Sequence, residues 1–533
     1  MTSERPRVAA GFAALVGVTL LAYLPALRAG FIWDDDPHVT QNELLRTWRG
    51  LADIWLKPGA TPQYYPLTHT SWWVQYHLWG LAPLGYHLVN VLLHGVSAGV
   101  LWLVLRRVRV PGAWTAAAVF ALHPVHVESV AWVTELKNVQ SGFFYLLALL
   151  AYLRWSLRGD AEPGGGRWMY ALLLLCFACA LLSKTVTGTL PVVIALVLWW
   201  KRGRLAPGQI VALVPFAAMS VVAGSATAWM ERHHVGAIGE EWALSLPERC
   251  LVAGRALCFY AAKLVWPSEL AFVYTRWTLD PHAWWQWLFP LGAGTALVAL
   301  AALRRQLGPA PLVAALYFVV TLGPALGFVD VYPMRYSFVA DHFQYLASIG
   351  PIALLVAAAT VTMERVLPAA RRPLGGVVLA SLGVLVWHQA GVYATPETLW
   401  RDTLAKTPSA WMAHNNLGLL LQNEGRLDEA AEHFREATRI RPAYPEALYN
   451  LGNALAAEGR LAEAEEQYER ALALDDRFAV VHNNLGNVLV MQGRVDEGKQ
   501  HFRRALALNP SYADAQRNLT VAEEWRGEAP PAR

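Results

Sequence analysis

VAAGFAALVGVTLLAYLPALRAGFIWDDDP, residues 8–37, decides the fold. Its first part, 8–27, is an apolar run of the length a helix needs to cross a bilayer, about 20 residues. Arg5 and Arg7 precede the run and no small-residue cleavage site follows it, so it reads as a retained first membrane helix and not as a removed leader. The stretch then closes on three consecutive carboxylates, Asp34, Asp35 and Asp36. Aspartate ahead of Pro37 is ordinary turn chemistry. The alternative is chemical: a carboxylate beside the bilayer can serve as general base on a hydroxyl, or hold a divalent cation, Mg or Mn, against a phosphate. Adjacent carboxylates can divide these roles, because repulsion and desolvation push their pKa values apart.

Working outward, the apolar pattern of the first segment, near 8–28, recurs near 86–105, 113–131, 139–157, 168–184, 187–200, 209–230, 284–303, 311–328, 345–362 and 374–394. With 55% hydrophobic and 16% charged residues in 533, this predicts an all-α polytopic membrane domain over 1–394, with about eleven spans. Basic clusters at Arg5/Arg7, Arg106/Arg107/Arg109, Arg154/Arg158, Lys201/Arg202/Arg204, Arg304/Arg305 and Arg365/Arg371/Arg372 mark every second connection, which places the N-terminus in the cytoplasm. The segment 247–266 carries Arg249, Arg255 and Lys263, charges costly at a bilayer centre, and reads as an interfacial helix. An odd number of spans returns the C-terminus to the face of the Asp34 loop, residues 29–85. The expected location is therefore an inner (plasma) membrane, with that loop and the C-terminal part extracytoplasmic (periplasmic). A net charge of +4 carries no nucleic-acid signal, and the four cysteines lie in helical segments that build no disulfide framework.

From 395 the apolar segments stop and a repeat begins. NNLGLLLQNEGRLDEAAEHFREA, YNLGNALAAEGRLAEAEEQYERA and NNLGNVLVMQGRVDEGKQHFRRA place Gly418, Gly452 and Gly486 34 residues apart, and Gly425, Gly459 and Gly493 likewise. That period is the tetratricopeptide signature, one helical hairpin per repeat. The repeats fall near 411–442, 445–476 and 479–510 of a domain spanning 395–525, before a disordered tail at 526–533. Such a solenoid binds an extended peptide or partner helix in its concave groove. Asn416, Asn450, Asn453, Asn484 and Asn487 are candidates to reach a peptide backbone there, or are satisfied helix-surface residues.

Polar residues gather at the outer ends of the spans. HPVHVESVAWVTELKNVQSG, 123–142, carries His123, His126, Glu128, Glu135 and Lys137. His-x-x-His hints at metal, but Pro124 disturbs helical ligand geometry and no third ligand is evident. A cluster that grips a lipid-linked phosphate fits better, with Lys137 as point-charge partner. Lys184 in LLSKTVTGTLP is a similar candidate, as are Arg335, Asp341 and His342 in MRYSFVADHFQYLA, 334–347. A lone cation at a helix end is otherwise a snorkelling side chain.

Taken together, residues 31–42, 79–94, 120–155, 181–191 and the trailing repeats resemble the transmembrane and tetratricopeptide-repeat-containing family, bacterial branch, within the GT-C superfamily, whose eukaryotic members are O-mannosyltransferases. The resemblance implies a GT-C-type membrane domain followed by a tetratricopeptide-repeat solenoid. It also implies inverting transfer of a sugar, a mannose-like hexose, from a polyprenyl-phosphate donor to a hydroxyl of a protein or other acceptor on the extracytoplasmic face. The family's acidic pair falls on Asp34 and Asp35, either of which takes the base role, with Asp36 beside them. His126, Lys137, Lys184 and Arg335 are then the donor-phosphate candidates. The match departs from the family at Leu136, where a basic residue is usual. The rival readings are a non-catalytic membrane-anchored repeat scaffold for envelope proteins, and a transporter of a lipid-linked sugar, which should carry charges in mid-span.

Overall fold

The computed structural model describes residues 4–156, 167–236, 239 and 242–524; Arg158 and the tail 526–533 lie outside the described residues. The chain divides into two compact units, Met1–Leu399 and Trp400–Arg533. In the first, the chain runs through α1 (Glu4–Ala22), α2 (Trp48–Leu56), α3 (Pro66–Trp79), α4 (Pro83–Arg107), α5 (Ala113–Leu122), α6 (Val127–Ala131), α7 (Leu136–Ser156) and α8 (Arg167–Ser183). It continues through α9 (Leu190–Arg202), α10 (Pro207–Met230), α11 (Leu246–Val265), α12 (Leu288–Ala302), α13 (Arg304–Leu307), α14 (Ala310–Leu322), α15 (Ile349–Val366) and α16 (Arg371–Val392). No strand forms among the described residues.

A helix occupies each of the eleven apolar segments, but their lengths differ. Six stretches among the described residues are long and apolar enough to cross a membrane: Arg5–Ala22, Pro83–Arg107, Pro207–Val235, Trp284–Ala302, Ile349–Val366 and Arg371–Val392. Ala113–Leu122, Trp168–Ser183 and Ala310–Ala325 are shorter apolar helices. The expected segment 113–131 breaks because Pro124 disfavours a helical residue before it, and His123 instead caps a short 3-10 turn.

Packing of the long helices relies on small residues where backbones approach. A Cβ on Gly99 of α4 would stand 2.3 Å from the ring of Phe12 on α1, so α1 and α4 cross on a glycine surface. The segment carrying Arg249, Arg255 and Lys263 is α11, an amphipathic helix opened by a Ser245–Glu248 capping box. Its buried face includes Val252, Ala256 and Tyr260, while Arg249 pairs with Asp330 at 2.8 Å and Arg255 lies over the Trp277 ring at 4.5 Å. The charges of this helix are thus held by partners within the fold, Lys263 by the Ser268 and Glu269 carbonyls.

The second unit opens within α17 (Pro396–Lys406) and consists of three hairpins and a closing helix. The hairpins are α18 (Trp411–Asn423) with α19 (Leu427–Ile440), α20 (Pro445–Ala457) with α21 (Leu461–Leu474), and α22 (Ala479–Met491) with α23 (Val495–Leu508); α24 (Ala513–Glu524) follows. The repeated glycines have two separate reasons. A Cβ on Gly418, Gly452 or Gly486 would fall 2.5–2.6 Å from the aromatic ring of Phe434, Tyr468 or Phe502 on the facing helix. Gly425, Gly459 and Gly493 hold φ of +78°, +78° and +85° in the turns, a conformation that costs other residues.

Candidate active site

The acidic loop leaves α1 through a 3-10 turn, Ala26–Arg28, and reaches Trp33, whose φ of +41° is unusual for a residue with a side chain. The Trp33 ring stacks on Trp132, 5.6 Å between centres, and takes Phe272 on its edge at 5.4 Å. These contacts hold a backbone turn that gives the next two aspartates different surroundings. Asp35 is fully buried and both its oxygens are engaged: Oδ2 accepts from the Ile32 amide at 2.8 Å, and Oδ1 accepts from the Thr134 amide at 2.8 Å and the Thr134 hydroxyl at 2.5 Å. Burial raises its pKa to about 7, against the three hydrogen bonds. Asp34 keeps a partly open side chain, 37% exposed. Its pKa is also raised, by desolvation, with Lys137 opposing and Glu135 adding to the rise. Asp36 is exposed and accepts from the Thr40 hydroxyl at 2.5 Å, within a single π turn, Asp36–Thr40.

Three residues from two separate motifs form the adjoining charge cluster. Glu135, 1% exposed, accepts from Lys137 Nζ at 3.1 Å and from Lys184 Nζ at 3.3 Å. Burial works against ionised Glu135, but the two ammonium groups carry its pKa well below the carboxylate range. For Lys137, burial is outweighed by Glu135 and Asp34, and its pKa rises. Lys184 has the weaker share of Glu135 and feels Lys137, so burial brings it down to about 8. Lys137 also stands 5.7 Å from the centre of the Trp132 ring. Lys184 is positioned by the end of α8, which α3 grips through a Thr68 hydroxyl bond to the Ser183 carbonyl at 3.0 Å. Leu136 turns the other way, fully buried in the apolar core under the loop with Val39, Leu45, Ile54 and Trp72.

The remaining candidates from the sequence are distributed more widely. Glu128 and His342 are brought together, the carboxylate accepting from the His342 amide and from Nδ1, both at 2.9 Å. Asp341 is buried and accepts from the Tyr274 hydroxyl at 2.9 Å. Arg335 donates to the Tyr332 hydroxyl at 2.7 Å and lies over the Tyr332 and Tyr336 rings. His126 is fully buried with both ring nitrogens occupied, Nδ1 by the Phe120 carbonyl at 2.7 Å and Nε2 by the Ser348 hydroxyl at 2.9 Å. His123 Nε2 bonds the Leu264 carbonyl at 3.0 Å. Both rings of the His-x-x-His pair are therefore committed to the fold.

Three side chains that the sequence did not single out join the site. His38 Nε2 stands 3.7 Å from Asp34 Oδ2, and the His38 and His69 rings lie 5.8 Å apart. Both imidazoles are buried, and their pKa values fall to about 3, so both are neutral. His38 Nδ1 and His69 Nε2 make no hydrogen bond among the described residues. Glu231 is 3% exposed, accepts from Gln63 Nε2 at 2.8 Å and from the Tyr332 amide at 3.1 Å, and helps hold Lys137 charged. Its position at the foot of the long α10 run is the only sequence signal it offers.

As for a cation, Asp35 has no free oxygen and Asp34 offers one carboxylate; among the described residues no three His, Cys, Asp or Glu side chains cluster as metal ligands.

In the second unit, the candidate asparagines bond between repeats. Asn450 donates to Asn415 at 2.9 Å, and Asn484 donates to Asn453 at 2.8 Å, which also accepts from the Tyr468 hydroxyl at 2.7 Å. Asn416 donates to the Met412 sulfur at 2.9 Å, and Asn487 is half-buried.

A helical membrane domain with a buried acid–lysine cluster, followed by a tetratricopeptide solenoid, is the class these features define. The family model described as TPR repeat matches residues 418–459 and 452–493, and the model described as Tetratricopeptide repeat matches 479–512. The chain is 27% identical over 500 residues to human protein O-mannosyl-transferase TMTC1, covering 82% of this chain and 56% of that one. It is 25% identical over 515 residues to protein O-mannosyl-transferase Tmtc3 of Drosophila melanogaster, covering 79% and 54%. Over 192 residues, 34% of this chain and 22% of that one, it is 35% identical to protein O-mannosyl-transferase Tmtc1 of the same fly. The chain thus spans about half the length of human TMTC1 and of the fly Tmtc3. The resemblance read from the motifs is matched by these comparisons: the chain is similar to protein O-mannosyl-transferases over about four fifths of its length and carries tetratricopeptide repeats.

Proposed function

We propose that the chain is a multi-pass membrane glycosyltransferase that moves a mannose-like hexose from a polyprenyl-phosphate sugar to a protein or peptide hydroxyl on the extracytoplasmic face. The observation that carries this reading is the pairing of a partly open, proton-avid carboxylate, Asp34, with the Lys137–Glu135–Lys184 cluster. The acceptor hydroxyl gives its proton to Asp34 as its oxygen attacks the anomeric carbon. A new glycosidic C–O bond forms, the bond from the anomeric carbon to the phosphate oxygen breaks, and the polyprenyl phosphate leaves with the electron pair. Lys137 and Lys184 receive the charge that develops on the phosphate, which needs no strong acid to depart. Arg335 is a further candidate for that contact. Asp35 is a positioning residue that ties the loop to Thr134. The isoprenoid chain fits an apolar cavity of about 540 Å³ lined by Leu21, Trp114, Leu122, Leu379 and Trp387, at the end of α1 from which the acidic loop departs. The repeats hold the protein acceptor, and Asn487 offers a side-chain amide to a peptide backbone.

The test is incorporation of radiolabelled sugar from a panel of polyprenyl-phosphate sugars into membrane proteins. Label that disappears in Asp34→Asn supports the reading. Absence of label from every donor, with protein shown to be folded, would favour the repeat scaffold.

A further inference from the structure

Two of the three tetratricopeptide hairpins carry a histidine pair that packing alone does not require. His414 on α18 and His433 on α19 recur, two repeats on, as His482 on α22 and His501 on α23. The same places in the middle hairpin hold Leu448 and Gln467, both buried. A leucine and a glutamine therefore fill this position between the helices.

In both histidine hairpins the rings meet nitrogen to nitrogen. His414 Nδ1 lies 2.9 Å from His433 Nδ1, and His482 Nδ1 lies 3.0 Å from His501 Nδ1. The far side of the first ring sets the proton: Nε2 of His414 donates to the Pro408 carbonyl, and Nε2 of His482 to the Asp476 carbonyl, each at 3.1 Å. A neutral imidazole has one N–H, so Nδ1 of His414 and of His482 is a lone pair that the Nδ1–H of His433 or His501 fills. One added proton can settle on Nε2 of His433 or His501 and leave that bond intact. A second has only the filled lone pair, where it would face an N–H and a like charge.

The charges around each pair do not call for an imidazolium. His414 faces Glu436 and Arg439 of α19, and His433 faces Arg401 of α17 and its own Glu429. His482 faces Asp476 and Arg504 of α23, while His501 faces Glu465 of α21 and its own Glu497 and Arg494. Each of these carboxylates is already paired with an arginine: Glu436 with Arg439, Glu429 with Arg426, Asp476 with Arg504, and both Glu465 and Glu497 with Arg494. Burial lowers all four histidines below the ordinary value of 6.5, and the partner ring adds to this for His433 and His501.

We propose that the two histidine pairs make the solenoid acid-sensitive: acidification through the ordinary histidine range breaks the nitrogen-to-nitrogen bonds and loosens the first and third hairpins, while the second holds. The unfolded chain takes up a proton at each histidine as the pH falls through 6.5, and each folded pair refuses at least one. The stability this gives is present above that value and lost below it. The helices affected carry Asn416, Asn484 and Asn487, so acid weakens the groove residues at both ends of the array and spares Asn450 and Asn453 in the middle. The device is independent of the chemistry at Asp34.

Hydrogen exchange of the full-length protein in detergent, followed by mass spectrometry at pH 7.5 and pH 5.5, reads it as protection factors, from which the intrinsic pH dependence of exchange is divided out. One refused proton per pair predicts a fall of about tenfold in α18–α19 and in α22–α23 over that range, and a smaller fall in α20–α21. His414→Leu/His433→Gln copies the middle hairpin. It should abolish the fall in α18–α19 and leave it in α22–α23, whose protection at pH 7.5 also reports that the variant is folded. Equal protection of wild type at the two pH values, or a fall of one size in all three hairpins, overturns the proposal. So does a fall in α18–α19 that survives in the variant.

Discussion

Replacing Asp35 by asparagine separates two opposing forces on one buried group. Whichever way the new amide turns, its NH2 faces an amide donor, Ile32 or Thr134, that the carboxylate now satisfies. A buried donor left without an acceptor costs about 1–3 kcal/mol. Against this, the substitution removes a carboxylate whose pKa burial raises from 3.8 to about 7. A raised carboxylate pKa contributes stability that is fully present below the unfolded value and lost as pH rises through the folded one. Over that interval, about three units at about 1.4 kcal/mol each, the wild type loses about 4 kcal/mol that the variant never had. The advantage of wild type over Asp35→Asn should therefore shrink by about 2 kcal/mol between pH 5 and pH 7. Thermal unfolding in detergent, followed by tryptophan fluorescence, measures it as the difference between the two melting curves at each pH. Taking that difference cancels His38 and His69, whose lowered pKa values drive stability the other way over the same range. A wild-type advantage that is constant, or grows with pH, would refute the reasoning, since it would mean that the three hydrogen bonds outweigh burial.

Asp34→Asn should lower transfer by about 10²–10⁴-fold while leaving the melting curve close to wild type, measured with radiolabelled donor. The rate should rise with pH as Asp34 ionises, above the ordinary carboxylate value, and fall near pH 8 as Lys184 deprotonates; Lys184→Arg should keep activity and abolish the alkaline fall. Glu135→Gln leaves two buried ammonium groups without their shared carboxylate and should cost about 3–5 kcal/mol in thermal stability. In the repeats, Gly452→Ala forces a methyl group against the Tyr468 ring and should destabilise by about 1–3 kcal/mol, detected as earlier proteolysis of the C-terminal unit on heating.

The helical segments and the repeats were legible because both rest on periodic, local signals. Apolar length gave the helices of the first unit, and the spacing of Gly418, Gly452 and Gly486 gave hairpins whose aromatic partners follow from packing. The division between Asp34 and Asp35 was not legible, because it depends on Thr134, 99 positions further along the chain. Nor was the fate of His126, which the motif made a phosphate candidate and the fold consumes on both nitrogens. His38, His69 and Glu231 belong to no motif; a lone histidine or glutamate acquires meaning only from what is folded against it. Leu136 is the reverse case: as a departure from a family pattern it suggested a lost contact, while the adjacent residues Glu135 and Lys137 supply the charged cluster and Leu136 fills the core beneath them.

The hydrogen bonds of Asp35 explain why the carboxylate and the lysines act as one unit. Asp35 binds the amide and hydroxyl of Thr134, the residue immediately before Glu135, while Asp34 is its neighbour in the chain. One buried carboxylate thus ties the loop that carries Asp34, the proposed proton acceptor, to the segment that carries Lys137 at the start of α7. Glu135 completes the arrangement by holding Lys137 and Lys184 on a single buried carboxylate. In the proposed reaction the leaving phosphate gains charge, so two ammonium groups already held in place would stabilise the transition state more than the ground state. The opening stretch is therefore divided by burial: Asp35, with both oxygens engaged, ties the loop down, and Asp34 beside it, partly open, is the one the proposed mechanism uses as base.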